Sequence, residues 1–177
     1  MYHRFEENKY PSTNIKIKDF INHLNLIKKN EFSYVNPNNF EKSLKIDKDK
    51  KKILLTIDDG FLSFYENAWP ILKSNKIPFI LFVSTREVGK YGYMSWDQIR
   101  EISKEDFVYI GNHSHTHEYL IDESPDQILK DLQLSISIFK KNLGYNSDFF
   151  SYPFGAYRLE FKKIVKDLNF KYAFGKH

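Results

Sequence analysis

A parallel β-sheet covered by helices, left open or closed as a barrel, is the fold class this sequence predicts, and three observations predict it. Short apolar runs alternate along the chain with segments of helical periodicity. Helix-capping residues stand at the starts of several of those segments. The unusual polar clusters each follow an apolar run directly, and the carboxyl ends of parallel strands are where such folds gather their chemistry.

The elements follow in order. "IKIKDFINHLNLIKKN" places Ile17, Phe20, Ile21, Leu24 and Ile27 on one helical face. "KKILLTIDDG" is an apolar run ending in two acids and a glycine, the pattern of a buried strand entering a loop. "FLSFYENAWPILKSNK" predicts a helix kinked or restarted near Pro70, and Ile77 to Val83 a buried strand. Ser95 caps a short helix in "SWDQIREIS", and Phe107 to Ile110 is a strand running out into histidines. A longer helix follows, with Ser124 as N-cap, Pro125 in its first turn, Gln127 completing a capping box and Gly144 ending it. "DFFSYPFG" is another strand-to-loop passage, "RLEFKKIVKDLN" a helix that Asn169 ends in the left-handed conformation, and "FKYAF" a last strand.

Composition fits one domain spanning 1–177. The chain is 41% hydrophobic and 17% aromatic over 177 residues, enough for a buried core and outside the disordered class. No window approaches about eighteen consecutive apolar residues, so no membrane span is expected. "MYHRFEENKYPS" lacks the basic-then-apolar pattern of a signal peptide, so a cytoplasmic location is expected if Met1 is the true start. With no cysteine, any metal must sit on His, Asp or Glu. The net charge of +4 comes from scattered lysines and one run, Asp47 to Lys52, whose flanking acids mark a solvated loop. No basic and aromatic interleaving is present, so no nucleic-acid partner is expected.

Three passages carry the chemistry: Asp58-Asp59-Gly60, His113 to His117, and Ser151 to Gly155. Three histidines in five residues are poor core material, because each ring has polar nitrogens to satisfy. His113 and His117 are four apart, so one helical turn or a tight loop aims both at one ion, with Ser114 tying the loop and His115 pointing elsewhere. Two nitrogens need a third donor. Adjacent carboxylates repel at a buried strand end, and a metal removes that penalty. Successive side chains diverge, so one aspartate can ligate while its neighbour faces water.

"LTIDDGF" and "GNHSHTHEYL" resemble the first two motifs of the polysaccharide deacetylases, carbohydrate esterase family four, usually written T-F-D-D-G and H-[S/T]-x-x-H. The resemblance covers Tyr2 to about Phe174. It implies an irregular (β/α) deacetylase barrel with fewer than eight strands. It also implies Asp58 as catalytic base and Asp59, His113 and His117 as ligands of a divalent metal, most often Zn2+, with Co2+ or Mn2+ as alternatives. The third family motif, R-x-P-[Y/F]-G, becomes Ser151-Tyr152-Pro153-Phe154-Gly155, so the Arg that holds the base is Ser151. The Phe154 backbone N–H keeps the family's role of oxyanion donor, for which side-chain identity is irrelevant.

The family's late L-x-H motif, which supplies the general acid, has no counterpart beyond the terminal His177. In the circularly permuted, exopolysaccharide-modifying branch that histidine lies near the front in a "YH" motif, and "MYHRF" offers His3. Position alone reads His3 as a surface residue near a chain end. The resemblance therefore implies hydrolysis of the N-acetyl group of an N-acetylhexosamine in a polysaccharide or surface-glycan precursor. Two other functions stay open. One is a saccharide-binding protein on an impaired deacetylase fold, and the other is a different metal hydrolase, such as a two-metal phosphoesterase. Trp96, Tyr152 and Tyr157 fit either loop packing or a sugar groove.

Overall fold

The computed structural model describes residues 1–46 and 51–176, so most of the basic run Asp47 to Lys52, and His177, lie outside the described residues. β1 (Arg4–Phe5) pairs in parallel with β2 (Asn14–Ile15), and α1 (Ile17–Lys29) follows. Just ahead of β1, the Tyr2 N–H donates to Thr56 O at 2.9 Å and its carbonyl accepts from the Asp58 N–H at 2.8 Å. β3 (Ser33–Tyr34), α2 (Phe40–Lys45) and β4 (Lys52–Ile53) come next, β3 pairing in parallel with β4.

The principal sheet is built from β5 (Leu55–Ile57), β6 (Phe79–Val83), β7 (Val108–Asn112), β8 (Phe149–Ser151) and β9 (Tyr172–Phe174), five parallel strands in chain order. Its crossovers carry α3 (Trp69–Ser74), α4 (Trp96–Ile102), α5 (Pro125–Leu143) and α6 (Leu159–Asp167). This is the alternation the sequence predicts. The segment before α3 is a π-helical turn, Phe64 to Ala68, and α3 restarts with Pro70 in its first turn, where the missing N–H costs nothing. Both capping boxes form, Ser95 with Gln98 and Ser124 with Gln127, and Gly144 and Asn169 end their helices at φ 82 and φ 65.

Strand boundaries differ from expectation in several places. β6 begins at Phe79 rather than Ile77, β7 runs from Val108 to Asn112 rather than Phe107 to Ile110, and β9 begins at Tyr172 rather than Phe170. The run read as one strand before Asp58 divides into β4 and β5, which belong to different sheets. Gly111 and Asn112 have low strand preference, yet they pair with Phe82 and Val83, so cross-strand register overrides propensity.

The sheet curls. The rings of Phe82 on β6 and Phe174 on β9 lie 5.5 Å apart although β7 and β8 intervene, where a flat sheet would separate them by roughly 14 Å. The result is a half-barrel with fewer than eight strands, as expected. Alternate residues face its two sides. Leu55, Ile57, Phe79, Leu81, Val83, Val108 and Ile110 pack outward on Trp69, Leu72, Ile99, Ile102 and Phe139 of the helices. Ile80, Phe82 and Phe149 face inward, and Phe40 of α2 closes that interior edge-on against Phe149 and Tyr172. Trp96 packs edge-on against Phe139, so its place is the helix layer.

Gly111 faces the interior opposite Phe82, and a methyl there would overlap the Phe82 ring. Gly111→Ala is expected to lose about 1–3 kcal/mol by overpacking the strand that leads to His113. Thermal unfolding checks this, at roughly 2–4 °C of Tm per kcal/mol for a chain of this size.

Candidate active site

The inward side chains continue past the strand tips into one cavity of about 1000 Å³. Leu54, Thr56 and Asp58 alternate along β5 and its exit, Phe82 and Ser84 follow β6, His113 follows β7, and Ser151 ends β8. Each lines that cavity, as do Asp59, His117, Phe154 and His3. All six residues singled out from the sequence therefore share one wall system at the carboxyl ends of the strands.

Three of them converge. Asp59 Oδ1 lies 3.4 Å from His113 Nε2 and 3.0 Å from His117 Nε2, and the two imidazole rings are 4.8 Å apart. Zinc ligands held at ~2.0–2.1 Å in a tetrahedron stand about 3.3 Å from one another, so this donor spacing fits an ion. The proton inventory agrees. His113 Nδ1 sits 2.7 Å from the Ser151 carbonyl oxygen, an acceptor, so Nδ1 carries the hydrogen, and in its neutral form the ring turns the bare lone pair of Nε2 toward Asp59 Oδ1. Asp59 Oδ1 is buried without a hydrogen-bond partner among the described residues. Lone pairs facing a carboxylate oxygen call for a cation between them. The titration directions follow from charge within the cluster itself: burial pushes the Asp59 carboxyl up, but hydrogen bonding and charge from His113 and His117 overcome it and hold it far below the usual carboxylate range. Burial likewise opposes charging His113, and Asp59 and Asp58 overcome that to raise it.

Asp58 stands apart from this group. It is 4% exposed, its Oδ2 accepts a long hydrogen bond from Ser151 Oγ at 3.4 Å, and Oδ1 has no partner among the described residues. Burial raises its pKa, partly offset by His113 and His3. The neighbouring acids thus differ in environment while lining one cavity, because Asp59 leaves the extended conformation. Asp59 and Gly60 follow the strand with φ 74 and φ 77, a left-handed exit that begins at the aspartate and continues through the glycine.

His3 is not on a frayed end. It follows Tyr2, which is hydrogen-bonded beside β5, and it is half-buried in the cavity wall. Phe154 holds φ 58 and leaves its ring 60% exposed, 5.0 Å from the ring of His117. His115 points away, its Nδ1 bonded to Thr85 Oγ1 at 2.8 Å. Tyr152 is buried against Phe150 and Phe161 yet also reaches the cavity, whereas Tyr157 lines a separate groove beside α6.

The histidine loop is a tight turn, and much of what shapes it was missed in the sequence. Ser114 Oγ accepts from the His117 N–H at 3.1 Å, the tie foreseen for Ser114. Asn112 Oδ1 accepts from the Ser114 N–H at 2.9 Å and is itself bonded to Ser135. Asp131 of α5 accepts from two further loop amides. A legible signal existed: Asp131 and Ser135 lie on the face of α5 that also carries Ile128, Leu132 and Phe139, and polar residues there need a buried partner.

Fold and site together define a (β/α) half-barrel protein with a candidate metal centre where its parallel strands end. The chain belongs to the polysaccharide deacetylase family: the family model described as "Polysaccharide deacetylase" matches residues 45–173. Over 138 residues it is 29% identical to the poly-beta-1,6-N-acetyl-D-glucosamine N-deacetylase of Staphylococcus aureus, covering 71% of this chain and 48% of that one. A Bacillus subtilis relative is 25% identical over 175 residues and is covered to 61% of its length, so the chain spans about half to three fifths of these curated relatives. Among solved structures, IcaB from Ammonifex degensii superposes with a TM-score of 0.84 at 27% identity, over 96% of this chain and 78% of that one.

Proposed function

We propose that this chain hydrolyses the N-acetyl group of an N-acetylhexosamine within a polysaccharide or surface-glycan precursor, using one divalent metal ion. The observation that carries the proposal is the pairing, in one cavity, of three converging metal donors with a separate buried carboxylate, Asp58. Asp59, His113 and His117 are the residues that would hold the ion, and their nitrogen and oxygen donors suit Zn2+, with Co2+ or Mn2+ as alternatives. When bound, it supplies the charge that polarises the acetamide carbonyl and acidifies water.

The chain's own residues supply the rest. Asp58 takes the proton of the attacking water, for which burial and a raised pKa suit it. As oxygen adds to the carbonyl carbon, the Phe154 N–H donates to the developing oxyanion. His3 delivers a proton to the departing nitrogen as the C–N bond breaks, leaving acetate and a hexosamine amine. A relative supports this reading: the S. aureus protein is a poly-beta-1,6-N-acetyl-D-glucosamine N-deacetylase.

Incubating zinc-loaded protein with acetylated β-1,6-glucosamine oligosaccharides tests the proposal, acetate release being the expected result. A second reading, saccharide binding without turnover, is favoured by Ser151 standing where the family usually carries Arg. Saccharide binding with no acetate, at saturating zinc or cobalt, would support it instead. Ser151 Oγ reaches Asp58 only at 3.4 Å, so Ser151→Ala is expected to lower kcat by less than about tenfold. Steady-state acetate assays measure this, and a larger loss would make Ser151 the group that orients the base.

A further inference from the structure

The loop from His113 to His117 belongs to no helix or strand, yet all of its amides are bonded. Its geometry depends on partners outside the motif. Ser114 and His117 both hold left-handed backbone, φ 68 and φ 55, and the two amides between them, of His115 and Thr116, donate to a single side chain. Asp131 Oδ1 accepts from the His115 N–H at 2.8 Å and Oδ2 from the Thr116 N–H at 3.0 Å. That carboxylate is 9% exposed, projects from α5, and forms no ion pair among the described residues.

We propose that Asp131 is a positioning residue for the metal centre: by clamping the His115 and Thr116 amides it fixes where His117 stands relative to His113. An acceptor-only group with two oxygens is what two adjacent amides require. Charge strengthens both bonds, which helps hold a loop whose flanking residues occupy an unfavourable backbone region. The carbonyl side of the loop is braced separately, His113 O by Ser84 Oγ at 2.9 Å, Ser114 O by the Thr85 N–H at 3.2 Å and His115 O by the Arg86 N–H at 3.0 Å. Asp131 is the contribution of α5 to that clamp, and it touches none of the metal donors.

The inference rests on the metal-centre reading above, so the test begins with zinc alone. Zn2+ is titrated calorimetrically into wild type, Asp131→Asn, Asp131→Glu and Leu132→Ala, Co2+ absorption spectra are recorded, and Tm is measured without metal. Asparagine turns an N–H toward one of the two amides, and zinc affinity is expected to fall roughly 10–100-fold, the cost typical of losing an outer partner of a metal ligand, with an altered Co2+ spectrum. Asp131→Glu keeps both acceptors one methylene further out and is expected to recover part of the affinity while still falling short of wild type. Leu132, fully buried one residue along α5, reports general loosening: Leu132→Ala is expected to lower Tm and leave zinc affinity intact. Wild-type affinity in Asp131→Asn overturns the inference, and so does an equal zinc deficit in Leu132→Ala. If Asp131→Asn does not fold, Asp131→Glu decides alone, wild-type affinity and spectrum there overturning the proposal. Failure of the wild type itself to bind zinc sinks the metal-centre reading, a result distinct from both.

Discussion

Asp58→Asn is expected to lower acetate release by roughly 10²–10⁴-fold, the range a positioned general base supplies, while zinc still binds. The substitution is nearly isosteric, so it removes the base without reshaping the site. Asparagine keeps an oxygen to accept from Ser151 Oγ, and the strand pairing of residue 58 with Tyr2 runs through its backbone N–H, which is untouched. The three converging donors do not include Asp58. Two measurements on one variant, acetate release and zinc titration, therefore separate base from ligand. Loss of zinc affinity in Asp58→Asn would make Asp58 a fourth ligand. Retained turnover would place the base elsewhere in the cavity.

How much of this was legible in the sequence follows from where each residue sits. A strand repeats every second residue, so once the apolar run ending at Ile57 is read as a buried strand, Asp58 follows Thr56 into the cavity. Asp59 reaches the same cavity only because its backbone turns left-handed at φ 74, which alternation does not announce. The same alternation carries Phe82 to Ser84 and Phe149 to Ser151 into the cavity. Helix signals were local and therefore readable: Ser124, Gln127 and Gly144 act within a few residues of one another. The length of β7 was not, because Gly111 and Asn112 join the strand only through partners on β6, nearly thirty positions away. Asp131 was missed for a related reason. Its amide partners lie fifteen and sixteen residues upstream on a loop without regular structure, and only a polar residue on an otherwise apolar helix face announces it. His3 needed the fold as well, since nothing within five residues of a chain end states that its segment will dock beside the strand bearing Asp58.

The second large effect concerns the three histidines. His113→Ala and His117→Ala are each expected to weaken zinc binding by more than the roughly 100-fold that marks loss of an outer partner, and to abolish acetate release at micromolar zinc, whereas His115→Ala is expected to leave both intact. The contrast follows from which atom each ring offers. His113 and His117 direct Nε2 at the same oxygen of Asp59, so either truncation leaves two donors where three stood. His113 has a second consequence, because its Nδ1 bond to Ser151 O also joins the β7 and β8 tips beside Asp58, so its loss should cost more in Tm than that of His117. His115 instead bonds Thr85 Oγ1, and its contribution to the loop, the N–H held by Asp131, is backbone and survives substitution by alanine. Isothermal titration of Zn2+ into the three variants, with acetate assays before and after chelation, measures each difference. Equal losses in all three would mean that the ion is not held by the donor set that the geometry of Asp59, His113 and His117 indicates.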